Sequence, residues 1–126
     1  MAVGLDTVMI DVADMDRTVA FYRDAVGLAL EMTSPFWSSF ALGSGASLGL
    51  HGGRKDAGPR PSAWTLGLHV DDILAARDRI VTGGGRTAGD LHDIPGGVIL
   101  DLSDPEGNAF EIIQHGVTVE SLAGRA

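Results

Sequence analysis

The chain has 126 residues, which suits one compact domain or two small half-modules sharing a core. With 44% hydrophobic residues and a mean hydropathy of +0.16, it is a folded globule rather than a disordered segment. A net charge of −8 and a pI near 4.7 argue against phosphate-backbone binding, and the absence of Cys excludes disulfides, thiolate metal sites and Cys nucleophiles.

In chain order, Thr7-Val8-Met9-Ile10-Asp11-Val12 alternates like a strand, and Asp14 caps a helical run through Val26 that ends at Gly27. A short strand is expected around Ala29 to Thr33. Strands over Trp37 to Leu42 and Ala46 to His51 flank the turn Gly43-Ser44-Gly45. Residues 53–62, rich in Gly, Pro and charge, read as a linker. Thr65 to Val70 then alternates again, and Asp71 or Asp72 caps a helix. Its stripe of Ile73, Ala76 and Ile80 stops at Gly83-Gly84-Gly85. A short strand is expected around Thr87 to Leu91. Strands over Val98 to Ser103 and Asn108 to Gln114 flank the turn Asp104-Pro105-Glu106-Gly107, and a tail from Gly116 lacks periodicity. The second half repeats the first at an offset of 58 residues, matching Thr7 with Thr65, Asp11 with His69 and Asp14 with Asp72. The expected organisation is a single domain over 1–126, with module 1 at about 5–52, the linker at 53–62, module 2 at about 63–115 and the tail at 116–126.

The turn at Asp104 to Asn108 feeds a strand, Ala109 to Ile113, in which Glu111 points opposite to Phe110 and Ile112. If those two pack in a core, Glu111 lies on a solvated sheet face or in a polar pocket. The run Asp11-Val12-Ala13-Asp14 through Phe21-Tyr22 to Gly27-Leu28 resembles the first strand and helix of the vicinal oxygen chelate superfamily. Asp104 to Glu111 is similar to its closing hairpin. That superfamily includes glyoxalase I, extradiol dioxygenases, fosfomycin-modifying enzymes and bleomycin-resistance proteins.

The resemblance implies an α+β fold in which two tandem βαβββ modules form a curled mixed β-sheet around a cavity, with the helices outside. Strand parity then turns Thr7, Met9 and Asp11 inward, together with Trp37 and Ser39, Gly49 and His51, Gly67 and His69, and Asp101 with Glu111. Asp11, Trp37, His51, His69, Asp101 and Glu111 are the candidate ligand-binding residues. Metal-dependent members carry His or Glu at four recurring places, held here by Thr7, Gly49, Thr65 and Glu111. Only Glu111 is a ligand type, so no metal cofactor is expected; any divalent ion would need Glu111 with a displaced His51 or His69. Asp101 and Glu111, on facing strands, are close enough for their charges to raise one pKa.

Other residues take plainer readings. His92 is assigned to a loop, His115 to a strand terminus, Phe21 and Tyr22 to the core, and Trp64 to core or interface packing; no Ser lies in a nucleophile elbow. The expected function is metal-independent binding of a small, cationic organic molecule, as in drug or metabolite sequestration. The alternative is a divalent-metal-dependent lyase, isomerase or dioxygenase. A homodimer is expected in the cytoplasm, without nucleic-acid or membrane partners, since neither a signal peptide nor a membrane-length apolar run is present.

Overall fold

The first helix begins at its anticipated cap: Asp14 is extended (φ −111°, ψ 94°) and its carboxylate accepts from Arg17 N at 3.0 Å. A computed structural model describes residues 5–56 and 64–124, so residues 57–62 of the expected linker lie outside the described residues. Helix α1 (Met15–Ala20) continues as a π-helical segment (Phe21–Val26) and stops at Gly27, whose φ of 93° needs no Cβ. The wider π turn lets Phe21, Tyr22, Ala25 and Val26 all face the core.

Strands β1 (Thr7–Asp11), β2 (Ala29–Thr33), β3 (Trp37–Ala41) and β4 (Ser47–His51) form the first sheet in the order β1-β4-β3-β2. The second comprises β5 (Leu66–His69), β6 (Arg86–Thr87), β7 (His92–Ile94), β8 (Gly97–Ser103) and β9 (Ala109–His115). Its order is β5-β9-β8-β6, with β7 also on β8. In each module the first strand lies parallel to the last and the remaining pairs are antiparallel, so the internal repeat is preserved in topology. The fold is α+β, with one module per sheet: βαβββ in the first, and in the second the same order with one additional short strand. Between β5 and β6, helix α2 (Ile73–Thr82) is capped by Asp72, which accepts from Ala75 N at 3.2 Å. A Cβ at Gly83 would collide with Ala25, so a glycine lets the end of α2 touch the π segment.

One core serves both modules. Tyr22 sits between Phe40 of the first sheet (ring centroids 6.1 Å apart) and Phe110 of the second (6.0 Å), while Phe21 meets Phe110 edge-on at 6.1 Å. Leu48, Leu50, Leu100 and Ile112 are fully buried around them. Strand parity therefore holds: the aliphatic sets turn toward the helices and the polar sets away.

Two buried acids join the modules. The turn after β8 closes around Asp104, whose Oδ1 accepts from Glu106 N and Asn108 N at 2.9 Å, and whose Oδ2 accepts from Tyr22 Oη at 2.9 Å. Glu106, 1% exposed, projects from the same turn onto the start of α1. There it accepts from Ala13 N at 2.9 and 3.0 Å and from Asp14 N at 2.8 Å. The carboxylate meets unpaired amides and the positive end of the helix dipole at once. These residues thus do more than make a turn.

Two expectations are corrected. The strand placed at Thr87 to Leu91 is instead two short pieces, β6 and β7, so His92 begins a strand rather than occupying a loop. The tail contains a helix, α3 (Val119–Ala123), with a capping box between Thr118 and Ser121 and with Leu122 buried. Five residues are too few to show a 3.6-residue period, and Ser replaces the usual Glu or Gln of that box.

Glu106→Gln puts an NH2 group or a weaker acceptor against two amide donors. It is expected to destabilise the protein by about 2–3 kcal/mol. Asp16→Asn, in the exposed first turn of the same helix, should cost less than about 0.5 kcal/mol. Urea denaturation of the two variants beside the parent checks the difference.

Candidate functional site

The polar residues collect on the sheet faces turned away from the helices. On the first sheet, Asp11, His51 and Trp37 form one row across β1, β4 and β3, with His51 Nδ1 3.5 Å from Asp11 Oδ1. The next row runs Met9, Gly49, Ser39, Met32. Trp37 reaches into it: a Cβ on residue 49 would collide with indole Cη2 and come within 2.6 Å of Cζ2. A register shift between Leu30 and Met32 marks a bulge in β2, and Glu31 reaches across to accept from the Ser47 hydroxyl at 2.8 Å. Alternation alone does not reveal that extra carboxylate.

On the second sheet, Asp101 and Glu111 are register partners, and Glu111 also lies opposite Gly67. A Cβ on Gly67 would stand 3.4 Å from Glu111 Oε1, an ordinary contact, so the carboxyl lies alongside β5. Burial, followed by hydrogen bonding toward Asp101 and the Asp101 charge, pushes the Glu111 carboxyl up from the ordinary carboxylate range; nearby His92 pulls it back. Like charges facing each other across β8 and β9 make the Glu111 carboxyl harder to ionise.

His69 lies one row further along, where His69, Ile113, Ile99 and His92 are matched across β5, β9, β8 and β7. Its ring sits 5.6 Å from that of His115, and its Nε2 is 3.9 Å from Asp71 Oδ1. His92 and His115, which the sequence reading set aside, therefore belong to the same face as Asp101 and Glu111. The signal for His115 was its parity with Ile113; that for His92 was hidden by the misplaced strand. Trp64, expected in packing, is 88% exposed.

The six candidates thus form separate groups: Asp11, Trp37 and His51 on one sheet, Asp101 and Glu111 on the other, and His69 beside His115. The displaced metal set of Glu111 with His51 or His69 is not assembled. Glu111 pairs with Gly67, two residues before His69, an offset of about 6–7 Å along a strand, and His51 is on the other sheet. Among the described residues no three His, Asp or Glu side chains converge on a metal-sized space.

Nor do the superfamily's own ligand places fit a divalent ion. Thr7 donates its hydroxyl to Asp6 Oδ1 at 2.8 Å, Thr65 is exposed ahead of β5, Gly49 lies beneath Trp37, and Glu111 is engaged with Asp101. One carboxylate falls short of the three or four ligands that such ions need from a protein. Hollows elsewhere follow the helices: one of about 600 Å3 lies between α1 and α2 against Phe21, Ala25, Arg79 and Gly83. Another, of about 480 Å3, brings His69 beside Asp72 and Arg79.

A family model described as the glyoxalase-like domain matches residues 7–113. The chain belongs to this family. It is thereby a member of the vicinal oxygen chelate superfamily, in agreement with the sequence resemblance. A probable lactoylglutathione lyase of Vibrio parahaemolyticus is 26% identical, with 92% of this chain and 94% of that protein covered. The chain spans only 35% of a probable chloroplastic lactoylglutathione lyase of Arabidopsis thaliana, 27% identical over 88% of this chain. The same fold appears in a glyoxalase/bleomycin resistance protein/dioxygenase family enzyme of Burkholderia phytofirmans, with a TM-score of 0.74, 18% identity, and coverage of 90% of this chain and 99% of that one. It also appears in a mutant fosfomycin resistance protein of Listeria monocytogenes complexed with Mn(II), with a TM-score of 0.73, 19% identity, and coverage of 99% and 98%. No described helix is long and apolar enough to cross a membrane.

Asp101→Asn removes the charge that disfavours Glu111 ionisation, so Glu111 should titrate at lower pH, as read from its side-chain carbon shift. The sign for stability follows from the raised Glu111 pKa: its contribution is full below the unfolded carboxylate pKa and is lost as pH rises through the folded value. Asp101→Asn is therefore expected to be more stabilising, relative to the parent, at pH 7 than at pH 4. Melting curves at both values check this.

Proposed function

We propose that this glyoxalase-like protein binds a small organic molecule without a resident metal. The observation that carries the reading is the indole of Trp37 over Gly49, which takes the space a ligand side chain would need at that place. Thr7 and Thr65 at two of the other places point the same way. Asp11, Glu31, Asp101 and Glu111, with a net chain charge of −8, favour a cationic ligand. The carboxylates of Asp101 and Glu111 can accept hydrogen bonds from an ammonium group, while Trp37 supplies apolar contact.

The proposed protein acts in the cytoplasm as a homodimer. Met9 is 62% exposed on the polar sheet face, and Leu5 and Trp64, at 65% and 88%, stand near the free edges of β1 and β5. A second copy would cover these edges and enclose the ligand.

Protein purified without chelator is expected to hold far less than one Ni2+, Zn2+ or Fe2+ per chain, and to lack lactoylglutathione lyase activity when these ions are added. Stoichiometric metal that Glu111→Gln removes would instead overturn the metal-independent reading. In calorimetry, basic amines should bind at least several-fold more weakly to Glu111→Ala than to the parent; equal affinity would remove the role given to the acidic pair. Light scattering should return about twice the 13.1 kDa chain mass, with Trp64→Asp shifting it downward. A monomer at every concentration would place the whole binding face within one chain.

A further inference from the structure

Loss of a metal ligand at position 49 requires only a residue without donor atoms. It does not require an indole in its place. Gly49 is a notch in the row Met9, Gly49, Ser39, Met32, and the six-membered ring of Trp37 fills it from the adjoining row. Met9 and Met32, 62% and 51% exposed, occupy the same row, and Trp37 itself is only partly buried. Thioethers are soft and polarisable, and beside an aromatic ring they form an adaptable apolar surface. Carboxylates border this surface on two sides. Asp11 lies at one side beside His51, and Glu31 at the other on the Ser47 hydroxyl. The strands β1 to β4 carry no Lys or Arg, and Arg54 follows β4 by three residues, at the Asp11 and His51 end of the sheet.

An aromatic face with anionic neighbours attracts cations through the ring quadrupole as well as through the carboxylates, and a planar cation gains stacking area besides. We propose that Trp37, seated in the Gly49 notch beside Met9 and Met32, is a stacking platform for a planar, positively charged heteroaromatic group. This deepens the metal-independent reading and rests on it, because a ligand side chain at residue 49 and the seated indole cannot coexist. Gly49 acts here as a positioning residue: it sets the height of the indole above the sheet.

The test uses the full chain carrying Trp64→Phe, so that Trp37 is the only indole. N-methylquinolinium is the planar cation, tetramethylammonium the cation without a ring, and naphthalene-2-sulfonate the planar anion. N-methylquinolinium is expected to bind by calorimetry and to quench Trp37 fluorescence, at least ten-fold more tightly than either comparison compound. Trp37→Leu should weaken it at least ten-fold, Trp37→Phe should recover part of that loss, and Gly49→Ala, which displaces the indole, should weaken it as well. Melting curves identify any variant that fails to fold, and the Phe variant then decides. Unchanged affinity in Trp37→Leu, equal binding of the planar anion, or no binding of N-methylquinolinium at millimolar concentration overturns the platform. So does a mass that halves in Trp37→Leu without probe binding to the parent, which would assign the surface to a second copy. Titration of Ni2+ or Mn2+ into the same samples separates the two ideas. Stoichiometric metal in the parent defeats the metal-independent reading, whereas full probe affinity in Trp37→Leu defeats the platform alone.

Discussion

The carboxylate of Glu106 on the amides of Ala13 and Asp14, immediately ahead of α1, is the contact on which the arrangement of this protein depends. Its partners lie 92 and 93 residues earlier in the chain, so the closing turn of module 2 caps the opening helix of module 1. A carboxylate buried to 1% exposure is costly unless its lone pairs are met, and here backbone N–H groups meet them at 2.8–3.0 Å. Asp104 adds a second link through the Tyr22 hydroxyl, whose pKa burial and the neighbouring carboxylate push upward. Tyr22 therefore stays protonated and keeps donating through the physiological range.

That clasp fixes the two sheets on opposite sides of one aromatic cluster. Phe40 and Phe110 each pack on Tyr22, so a shift of one sheet relative to the other would disturb rings and buried acids together. The polar faces are held in place as a consequence. What they present differs, although the modules share topology. Module 1 offers an indole and two methionines edged by acids; module 2 offers a pair of facing carboxyl groups with histidines. Gly49 on β4 admits the Trp37 ring, whereas Gly67 on β5 lies in ordinary contact with Glu111.

Membership of the glyoxalase-like family describes how such faces are built rather than what they hold. The fold is shared with a manganese-bound fosfomycin resistance protein and with a bleomycin-resistance and dioxygenase type enzyme at 18–19% identity, a level at which architecture survives while sites diverge. Donor chemistry at Thr7, Gly49 and Thr65 marks that divergence here.

Much was legible in the sequence because it depends on short-range rules. The 58-residue repeat, the caps at Asp14 and Asp72, the stop at Gly27 and the inward parity of Asp101 and Glu111 follow from backbone periodicity and local hydrogen bonding. Where elements were too short for a period, as at β6, β7 and α3, the reading failed and His92 was misplaced. The partners of Glu106 and Asp104, the contact of His69 with His115 and the extra carboxylate of Glu31 were decided only by tertiary structure. Each requires two distant segments, a particular register or a bulge. Parity says which face a side chain occupies, but it leaves its reach undetermined. Trp37 shows the difference: the sequence places it on the same face as Gly49, and only the packed sheet lays its ring over that glycine.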